Sequence, residues 1–212
     1  MRFLITAGPT REYIDDVRYL SNASSGRMGY AIAAAAARAG HEVDLVSGPV
    51  DLPAPAGVRL VPVVSTRDMH RAASRLFPRA DVLIGAGAPA DYTPARRIAG
   101  KLKKTSDPLR LELKPTVDIV ASLGRRKKRG QVIIAFALEV QSPVANALAK
   151  MARKNADAIL LNSPAAIGAR AETARIFLRA GGERRLHNAP KSRIGRVLVK
   201  LAEELRNDRT AR

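Results

Sequence analysis

The fold is decided by residues 3–29, FLITAGPTREYIDDVRYLSNASSGRMG. Phe3–Thr6 is a short apolar run typical of a buried strand, and a Gly-Pro turn ends it. A polar loop follows, and a long alanine-rich helix is predicted over Gly26–Ala39. Hydroxyls, an amide and unpaired backbone N–H groups therefore meet at a helix N-terminus. The N-terminus of a helix attracts anions through its N–H groups and its dipole.

The same alternation of strand and helix continues along the chain and predicts the fold class. Short apolar strands separated by helices are typical of a parallel sheet covered on both faces. We therefore predict an α/β fold, Rossmann-like and doubly wound, with a mostly parallel sheet. The further predicted strands are Glu42–Ser47, Arg59–Val64, Asp81–Gly85, Gln131–Phe136 and Ala158–Leu161, and the helices are Arg67–Leu76, Val117–Leu123, Val144–Asn155 and Lys191–Arg206. Thr173–Leu178 and Arg184–His187 are expected to pair as a hairpin.

A chain of 212 residues with 46% hydrophobic content suits a single domain over residues 1–212. Residues 86–116 interrupt the alternation, because they are rich in Pro, Gly and Lys, with short strands predicted around Lys101–Lys104 and Leu109–Leu113. Long irregular segments often form functional arms or lids, so we predict an arm there. Residues 207–212 are expected to be a frayed tail.

Composition excludes several classes of protein. No run of eighteen apolar residues is present, and the N-terminal residues lack the apolar core of a signal peptide. The absence of cysteine excludes disulfides and thiolate chemistry on the protein itself. We expect a cytoplasmic protein with no membrane partner.

The formal net charge of +18 has three interpretations. A basic surface binds nucleic acid, steers a small polyanionic substrate, or is simply a solvated surface. Aromatic residues make up only 4% of the chain, which argues against a stacking platform for single strands. Nucleic acid is therefore not expected as the partner.

The helix start carries more polar residues than a helix cap needs. Ser24 or Ser25 alone would cap the helix. Asn22 and Gly26 add to them, and Arg18 lies just upstream. This excess favours an anion-binding site over a cap alone.

Gly8 and Thr10 follow the first strand, where the backbone either approaches a phosphate or makes a plain turn. The chain lacks the Gly-x-Gly-x-x-Gly fingerprint there, and its second strand ends in Val46-Ser47 instead of an acidic residue. These two absences argue against a nicotinamide-dependent enzyme. The three histidines are scattered and show no metal-ligand spacing.

Asp91 follows small residues that let a flat ring or a sugar lie close to the backbone. It would accept hydrogen bonds from a base or ribose, or form an Asx turn. Lys101 and Lys103 share a face if extended, and either bind a triphosphate or protect an edge strand. Lys150 and Lys154 lie four apart on a helix, where like charges repel unless an anion lies between them.

Several motifs, in the same order, resemble the phosphopantothenoylcysteine synthetase family. They are ITAGPTRE at 5–12, VRYLSNASSGRMG at 17–29, LVSGPV at 45–50, ADY at 90–92, KLKK at 101–104, DIVA at 118–121 and the pair Lys150 and Lys154. The resemblance runs from residue 3 to about residue 165.

The resemblance implies a CTP-dependent phosphopantothenate–cysteine ligase of coenzyme A biosynthesis. The carboxylate of 4′-phosphopantothenate would attack the α-phosphate of CTP, giving an acyl-cytidylate and pyrophosphate, and the cysteine amine would then displace CMP. Mg²⁺ is the implied cofactor, because both substrates are polyanions. The resemblance also implies a homodimer in which the arm, residues 86–116, reaches the partner chain, and it allows a separate phosphopantothenoylcysteine decarboxylase as a partner.

The site residues are those carried over from the family by position, together with Gly8, Thr10, Ser24, Ser25 and Gly26 from the local patterns described above. Asn22 would hold the acyl-cytidylate and Lys101 would neutralise the triphosphate, so these two are the implied catalytic residues. The phosphopantothenate side would comprise Arg18, Ser24, Ser25 and Gly26. The nucleotide side would comprise Lys101 together with Gly8, Thr10, Gly85, Ala86, Gly87, Asp91, Val117, Asp118, Ile119, Val120, Phe136, Lys150 and Lys154. Metal ligands are not implied.

The chain departs from the family pattern at residues 87–92, 116–119 and 135–140, which border the implied nucleotide pocket. These departures motivate an alternative, a nucleotide-binding relative without full turnover. The net charge motivates a second alternative, a basic nucleic-acid-binding protein.

Overall fold

A computed structural model of the chain describes residues 1–163, 165 and 168–210. Strands and helices alternate through these residues. The strands are β1 (Arg2–Ala7), β2 (Arg11–Tyr13), β3 (Tyr19–Ser21), β4 (Glu42–Ser47), β5 (Val58–Pro62), β6 (Val82–Gly85), β7 (Tyr92–Pro94), β8 (Leu113–Pro115), β9 (Val132–Leu138), β10 (Ala158–Asn162), β11 (Ala171–Leu178) and β12 (Glu183–Pro190). The helices are α1 (Arg27–Arg38), α2 (Thr66–Leu76), α3 (Ile119–Gly124), α4 (Pro143–Arg153) and α5 (Lys191–Thr210).

One eight-stranded sheet organises the molecule, with the order β12-β11-β10-β9-β6-β1-β4-β5. The pairs from β10 to β5 are parallel, and β11 and β12 form an antiparallel hairpin at one edge. The six parallel strands follow the 3-2-1-4-5-6 order of doubly wound sheets, which confirms the predicted fold class. The chain changes direction across the sheet between β1 and β6. Ligands of such sheets bind at this switch point, beyond the carboxyl ends of the strands.

Both faces of the sheet are covered, and the strands alternate between two cores. Phe3 and Ile5 of β1 pack on the same side as α1 and α5. Leu4 packs on the other side with Met69 of α2 and Leu123 of α3. Successive side chains of a strand point to opposite faces, so a central strand buried on both faces must be apolar throughout. This explains why β1, β6 and β9 appear in the sequence as continuous apolar runs.

Three local predictions are wrong, and the reasons are physical. The stretch Lys101–Lys104 is irregular instead of extended, because its lysines are exposed and no neighbouring strand pairs with it. The strand predicted around Leu109–Leu113 lies further along the chain, at Leu113–Pro115, and pairs with Tyr92–Pro94 in the small sheet of the arm. The loop after β1 contains the hairpin of β2 and β3, which its polar sequence concealed.

The C-terminal helix also differs from its prediction. Helix α5 continues to Thr210, so the tail predicted from residue 207 is helical as far as the structure describes it. Residues 211 and 212 lie outside the described residues. In the part of the chain that the structure describes, every helix is too short or too polar to cross a lipid bilayer.

A buried ion pair fastens the loop after α3 to the sheet, and its loss is expected to destabilise the fold. Lys127 Nζ lies 2.7 Å from both carboxylate oxygens of Asp157, which also accepts the Ile133 N–H at 2.8 Å. The side chains are only 6% and 2% exposed. Lys127→Met would leave a buried carboxylate without its cation, at a cost of about 3 kcal/mol in unfolding free energy. Urea denaturation measures this cost. Lys128→Met, an exposed neighbour, is the control, and an equal loss there would contradict the role of the pair.

Candidate functional site

A cavity of about 420 Å³ opens at the carboxyl ends of β6 and β9, beside the switch point of the sheet. Its walls come from the end of β1, the loop after β6, the start of α3 and the end of α4. The lining residues are Thr6, Met69, Gly85, Gly87, Pro89, Asp91, Tyr92, Pro115, Thr116, Val117, Asp118, Ile119, Val120, Phe136, Lys150, Arg153 and Lys154. Ten of the residues carried over to the nucleotide side are among them. Gly8, Thr10, Ala86 and Lys101 are not.

Two glycines allow the walls of this cavity to pack closely. A Cβ on Gly85 would lie 2.5 Å from Val120 Cγ2, so only glycine lets the start of α3 approach the sheet this closely. A Cβ on Gly87 would lie 3.1 Å from Thr6 Oγ1 and 3.3 Å from Met69 Sδ. The small residues that the sequence presents before Asp91 therefore serve close packing around the cavity.

The end of α4 brings three cations to the cavity, and two acidic residues compensate them. Lys154 Nζ lies 2.7 Å and 2.9 Å from the two oxygens of Asp118, and Lys150 pairs with Glu139 at the end of β9. Arg153 Nη1 lies 3.5 Å from Asp118 Oδ2 and is 60% exposed. The repulsion expected between Lys150 and Lys154 is thus relieved within the protein. Arg153 was not identified from the sequence, and the pairing of Glu139 with Lys150 was not predicted from it.

Asp118 is ionised and serves two structural purposes. Its Oδ1 accepts the Ala121 N–H at 3.0 Å and so caps α3. Burial alone would raise the pKa of Asp118, but the Lys154 ammonium, the Ala121 N–H and Arg153 outweigh it and hold the pKa below its ordinary value. The carboxylate therefore stays charged at neutral pH and keeps Lys154 in place.

Asn22 is joined to the cavity by the loop of residues 88–91. Its Nδ2 donates to the carbonyl oxygens of Ala88 at 3.2 Å and Pro89 at 3.0 Å. The Ala88 N–H in turn donates to the Gly8 carbonyl at 2.8 Å. Asp91, at the other end of the same loop, lines the cavity with an exposed side chain. One short loop therefore connects the two predicted halves of the site.

The start of α1 has no side-chain cap. Its N-cap is Gly26, which is left-handed at φ 72° and makes no side-chain cap. Ser24 and Ser25 therefore do not cap the helix, because they precede the N-cap; Ser24 Oγ accepts the Gly26 N–H at 3.4 Å. Gly26 packs against Val50 with no room for a Cβ, which would lie 2.9 Å from Val50 Cγ1. The excess polar residues are thus not explained by capping, and uncapped N–H groups suit an anion.

Arg18 contacts Leu102, the neighbour of Lys101, and neither Arg18 nor Lys101 lines the cavity. The Asp15 carboxylate accepts hydrogen bonds from the N–H groups of Val17, Arg18 and Leu102 at 2.8, 2.6 and 3.0 Å, and from the Arg18 guanidinium at 2.8 Å. Arg18 Nη1 also donates to the Leu102 carbonyl at 2.8 Å. This network ties the loop between β2 and β3 to the arm, directly beside Lys101.

Asp15 makes the attachment of the arm dependent on pH. The pKa of Asp15 is lowered from 3.8 to about 2, chiefly by the hydrogen bond from the Arg18 N–H. Burial opposes this shift, whereas the N–H groups of Val17 and Leu102 and the Arg18 guanidinium add to it. Because the folded pKa is the lower one, the carboxylate stabilises the fold above about pH 4, and this contribution is lost as the pH falls towards 2. We expect the unfolding free energy of Asp15→Asn to fall less steeply over this range than that of the wild type.

The measurement is a series of urea titrations between pH 5 and pH 2, with Asp16→Asn as the control. Asp16 is an adjacent carboxylate whose side chain is 54% exposed. If Asp16→Asn flattened the pH dependence as much as Asp15→Asn, the buried network would not be its cause.

Among the described residues, no group of three or more His, Cys, Asp or Glu side chains is placed to hold a metal ion. Asp91 lines the cavity and forms no ion pair with the described residues, whereas Asp118 is paired with Lys154.

Comparison with known proteins agrees with the fold and the motifs. The family model for the DNA/pantothenate metabolism flavoprotein C-terminal domain matches residues 1–205. A protein named cysteine/cysteine sulfinic acid decarboxylase, from an unknown prokaryotic organism, is 47% identical over 163 residues, 76% of this chain and 45% of the relative. The coenzyme A biosynthesis bifunctional protein CoaBC of Bacillus subtilis is 43% identical over 188 residues, 86% of this chain and 46% of the relative.

The crystal structure of the C-terminal domain of a coenzyme A biosynthesis bifunctional protein CoaBC superposes with a TM-score of 0.85 at 38% identity, covering 98% of this chain and 96% of that one. This chain spans less than half the length of the two curated relatives. The family model nevertheless covers nearly all of it, and the resemblance predicted from the motifs is confirmed. The chain therefore belongs to the family of the DNA/pantothenate metabolism flavoprotein C-terminal domain.

Proposed function

We propose that this chain is a phosphopantothenate–cysteine ligase that uses CTP. The observation that carries the proposal is the loop of residues 88–91, which joins a cavity of nucleotide size to an uncapped helix start. The cavity supplies Lys150, Arg153 and Lys154 for phosphates. The start of α1, with Asn22 beside it, suits the second anionic substrate.

The proposed reaction has two steps. A carboxylate oxygen of 4′-phosphopantothenate attacks the α-phosphorus of CTP, the bond to the bridging oxygen breaks, and pyrophosphate leaves. The cysteine amine then attacks the acyl carbon of the mixed anhydride, loses a proton, and expels CMP. A free carboxylate is a poor acyl donor, whereas the mixed anhydride has a good leaving group, so the nucleotide makes amide formation possible.

The chain's own residues would align the two substrates and offset their charge. Lys150, Arg153 and Lys154 project from the end of α4 towards the cavity, where cations stabilise charge on a departing pyrophosphate. Asn22 is fixed between the helix start and the 88–91 loop, at the position where the two substrates would meet. Mg²⁺ would be held mainly by the triphosphate, with Asp91 as its protein ligand, and would neutralise the leaving group.

A homodimer is part of the proposal. Lys101 does not line the cavity that holds Lys150 and Lys154, so one chain does not assemble all the residues carried over from the family. The arm and the neighbouring hairpin expose large apolar side chains, and Val17, Tyr92 and Leu109 are each more than half exposed. A second chain that covers these side chains would bring its Lys101 to the cavity. A phosphopantothenoylcysteine decarboxylase is the proposed partner that consumes the product.

Pyrophosphate release in the presence of CTP, 4′-phosphopantothenate and cysteine tests the proposal. Without cysteine, the acyl-cytidylate should accumulate and be visible by mass spectrometry. Absence of turnover with every nucleoside triphosphate would contradict the ligase. Binding of CTP by calorimetry without acyl-cytidylate formation would instead support the alternative, a nucleotide-binding relative that lacks turnover.

A further inference from the structure

Three threonines from separate parts of the chain form hydrogen bonds with the main chain of one residue, Ala90. Thr10 Oγ1 accepts the Ala90 N–H at 2.9 Å, and Thr66 Oγ1 donates to the Ala90 carbonyl at 3.3 Å. The hydroxyls of Thr10 and Thr66 lie 2.8 Å apart. Thr116 Oγ1 donates to the same carbonyl at 2.6 Å. Thr10, Thr66 and Ala90 are almost fully buried.

The directions of these hydrogen bonds follow from the chemistry of a hydroxyl, which has one proton to donate. Thr66 uses its proton on the Ala90 carbonyl, so the bond between the two hydroxyls must be donated by Thr10. The result is a closed ring, which we call the threonine ring: Ala90 N–H to Thr10, Thr10 to Thr66, and Thr66 back to the Ala90 carbonyl. Hydrogen bonds in such a ring polarise one another, and each proton has a fixed direction.

A buried carboxylate anchors the ring from outside. Glu12 of β2 is 5% exposed, and its Oε1 accepts the Thr66 N–H at 2.8 Å. This N–H belongs to the first turn of α2, whose N-cap is Ser65. A carboxylate at a helix N-terminus is favoured by the helix dipole. Glu12 thereby holds Thr66 at a fixed distance from the loop, although it does not line the cavity.

The ring fixes the backbone immediately before Asp91. The Asp91 carbonyl accepts the Thr116 N–H at 2.8 Å, so both neighbouring peptide groups are held while the Asp91 side chain stays exposed in the cavity wall. One acceptor and one donor would satisfy the polar groups of Ala90. The Ala90 carbonyl instead has two donors, and the hydroxyls of Thr10 and Thr66 also bond to each other. These additional hydrogen bonds restrict the orientation of the loop.

We propose that Thr10, Thr66 and Thr116, anchored by Glu12, are positioning residues that aim Asp91 at the bound nucleotide and its cation. This inference rests on the proposed function. It gives a positioning role to Thr10 and Thr66, which do not line the cavity, and to Thr116, which does. It assigns the 88–91 loop a rigid conformation before the nucleotide binds, which lowers the ordering cost of binding.

The test compares Thr66→Val, which has the same shape without a hydroxyl, with Thr66→Ser, which restores the hydroxyl. We expect Thr66→Val to weaken CTP binding in the presence of Mg²⁺ about tenfold by calorimetry, and Thr66→Ser to restore most of the affinity. Ser74→Ala is the control on the same helix, because the Ser74 hydroxyl is buried without a hydrogen-bond partner. Thr116→Val, at a half-buried position, provides a second variant if Thr66→Val does not fold.

A double-mutant cycle with Asp91→Asn distinguishes a loss of CTP affinity that acts through Asp91 from one that is independent of Asp91. If the ring acts through Asp91, Thr66→Val should cost little more affinity once Asp91 has been replaced. Full additivity of the two losses would overturn the inference, as would unchanged CTP affinity in both valine variants.

Hydrogen exchange of the segment 88–92 without ligand gives a readout that does not depend on the proposed function. The valine variants should exchange faster there than the wild type and Ser74→Ala. If the wild type bound no CTP, the proposed function would fail, and the exchange data would still decide the ring. Unchanged exchange in the valine variants would overturn it.

Discussion

Replacing Asn22 by Asp is expected to slow acyl-cytidylate formation about 100-fold or more, because the loss of a donor and the gain of a negative charge act together. Asn22 Nδ2 donates to the carbonyl oxygens of Ala88 and Pro89. A carboxylate has no proton to donate, so it would repel both carbonyls and move the 88–91 loop. It would also place a negative charge beside the acyl phosphate. Single-turnover experiments with CTP and 4′-phosphopantothenate, without cysteine, measure this step directly.

Asn22→Ala separates the two causes, because it removes the hydrogen bonds without adding a charge. We expect it to slow the same step about tenfold. Both variants should unfold at nearly the temperature of the wild type, because Asn22 is exposed. An Asp variant as fast as the Ala variant would mean that no anion comes close to this position, and the proposed place of the acyl phosphate would be wrong.

The centre of the sheet could be predicted because β1, β6 and β9 are buried on both faces. Glu42–Ser47 was predicted with the bounds that the structure has, since a Gly-Pro turn ends it and a glycine precedes it. The hairpin of β11 and β12 was predicted because Gly181 and Gly182 separate its two strands. The short strands β2 and β3 were missed, because they pair only with each other and lie outside the main sheet, where no long apolar run is needed.

The site could be predicted only where residues close in sequence act together. The cluster at Asn22 and the pair Lys150 and Lys154 were visible as local patterns. Thr66 is 56 residues from Thr10, and its hydroxyl has no pattern that distinguishes it from any helix-start threonine. The same holds for Glu139, whose pairing with Lys150 depends on the approach of β9 to α4. Contacts of this kind are created by the topology of the sheet.

The place of Lys101 in the structure of a single chain differs from the place that the sequence predicts. The sequence associates it with Lys150 and Lys154 in one nucleotide site. In the structure it is exposed on the arm, beside the Asp15 network and outside the cavity lined by the other two lysines. The proposed dimer reconciles these observations, because the arm of one chain would serve the cavity of the other.

Mixing two inactive variants tests this arrangement with a large expected effect. Lys101→Ala and Lys154→Ala should each lose nearly all turnover, because each removes a cation from the triphosphate site. If Lys101 acts across the dimer, a mixed dimer has one site with both defects and one site that is intact. Random mixing should then recover about a quarter of the wild-type turnover, since half of the dimers are mixed and each has one working site.

Lys150→Ala mixed with Lys154→Ala is the matched control. These two lysines lie on one helix and line the same cavity, so every site of a mixed dimer keeps one defect and no recovery is expected. Size-exclusion chromatography and native mass spectrometry would establish that mixed dimers form. Mixed dimers of Lys101→Ala and Lys154→Ala that stay inactive would place Lys101 in the site of its own chain. In that case the arm would have to move away from Arg18 to reach the cavity of its own chain, and breaking the Asp15 network would raise activity.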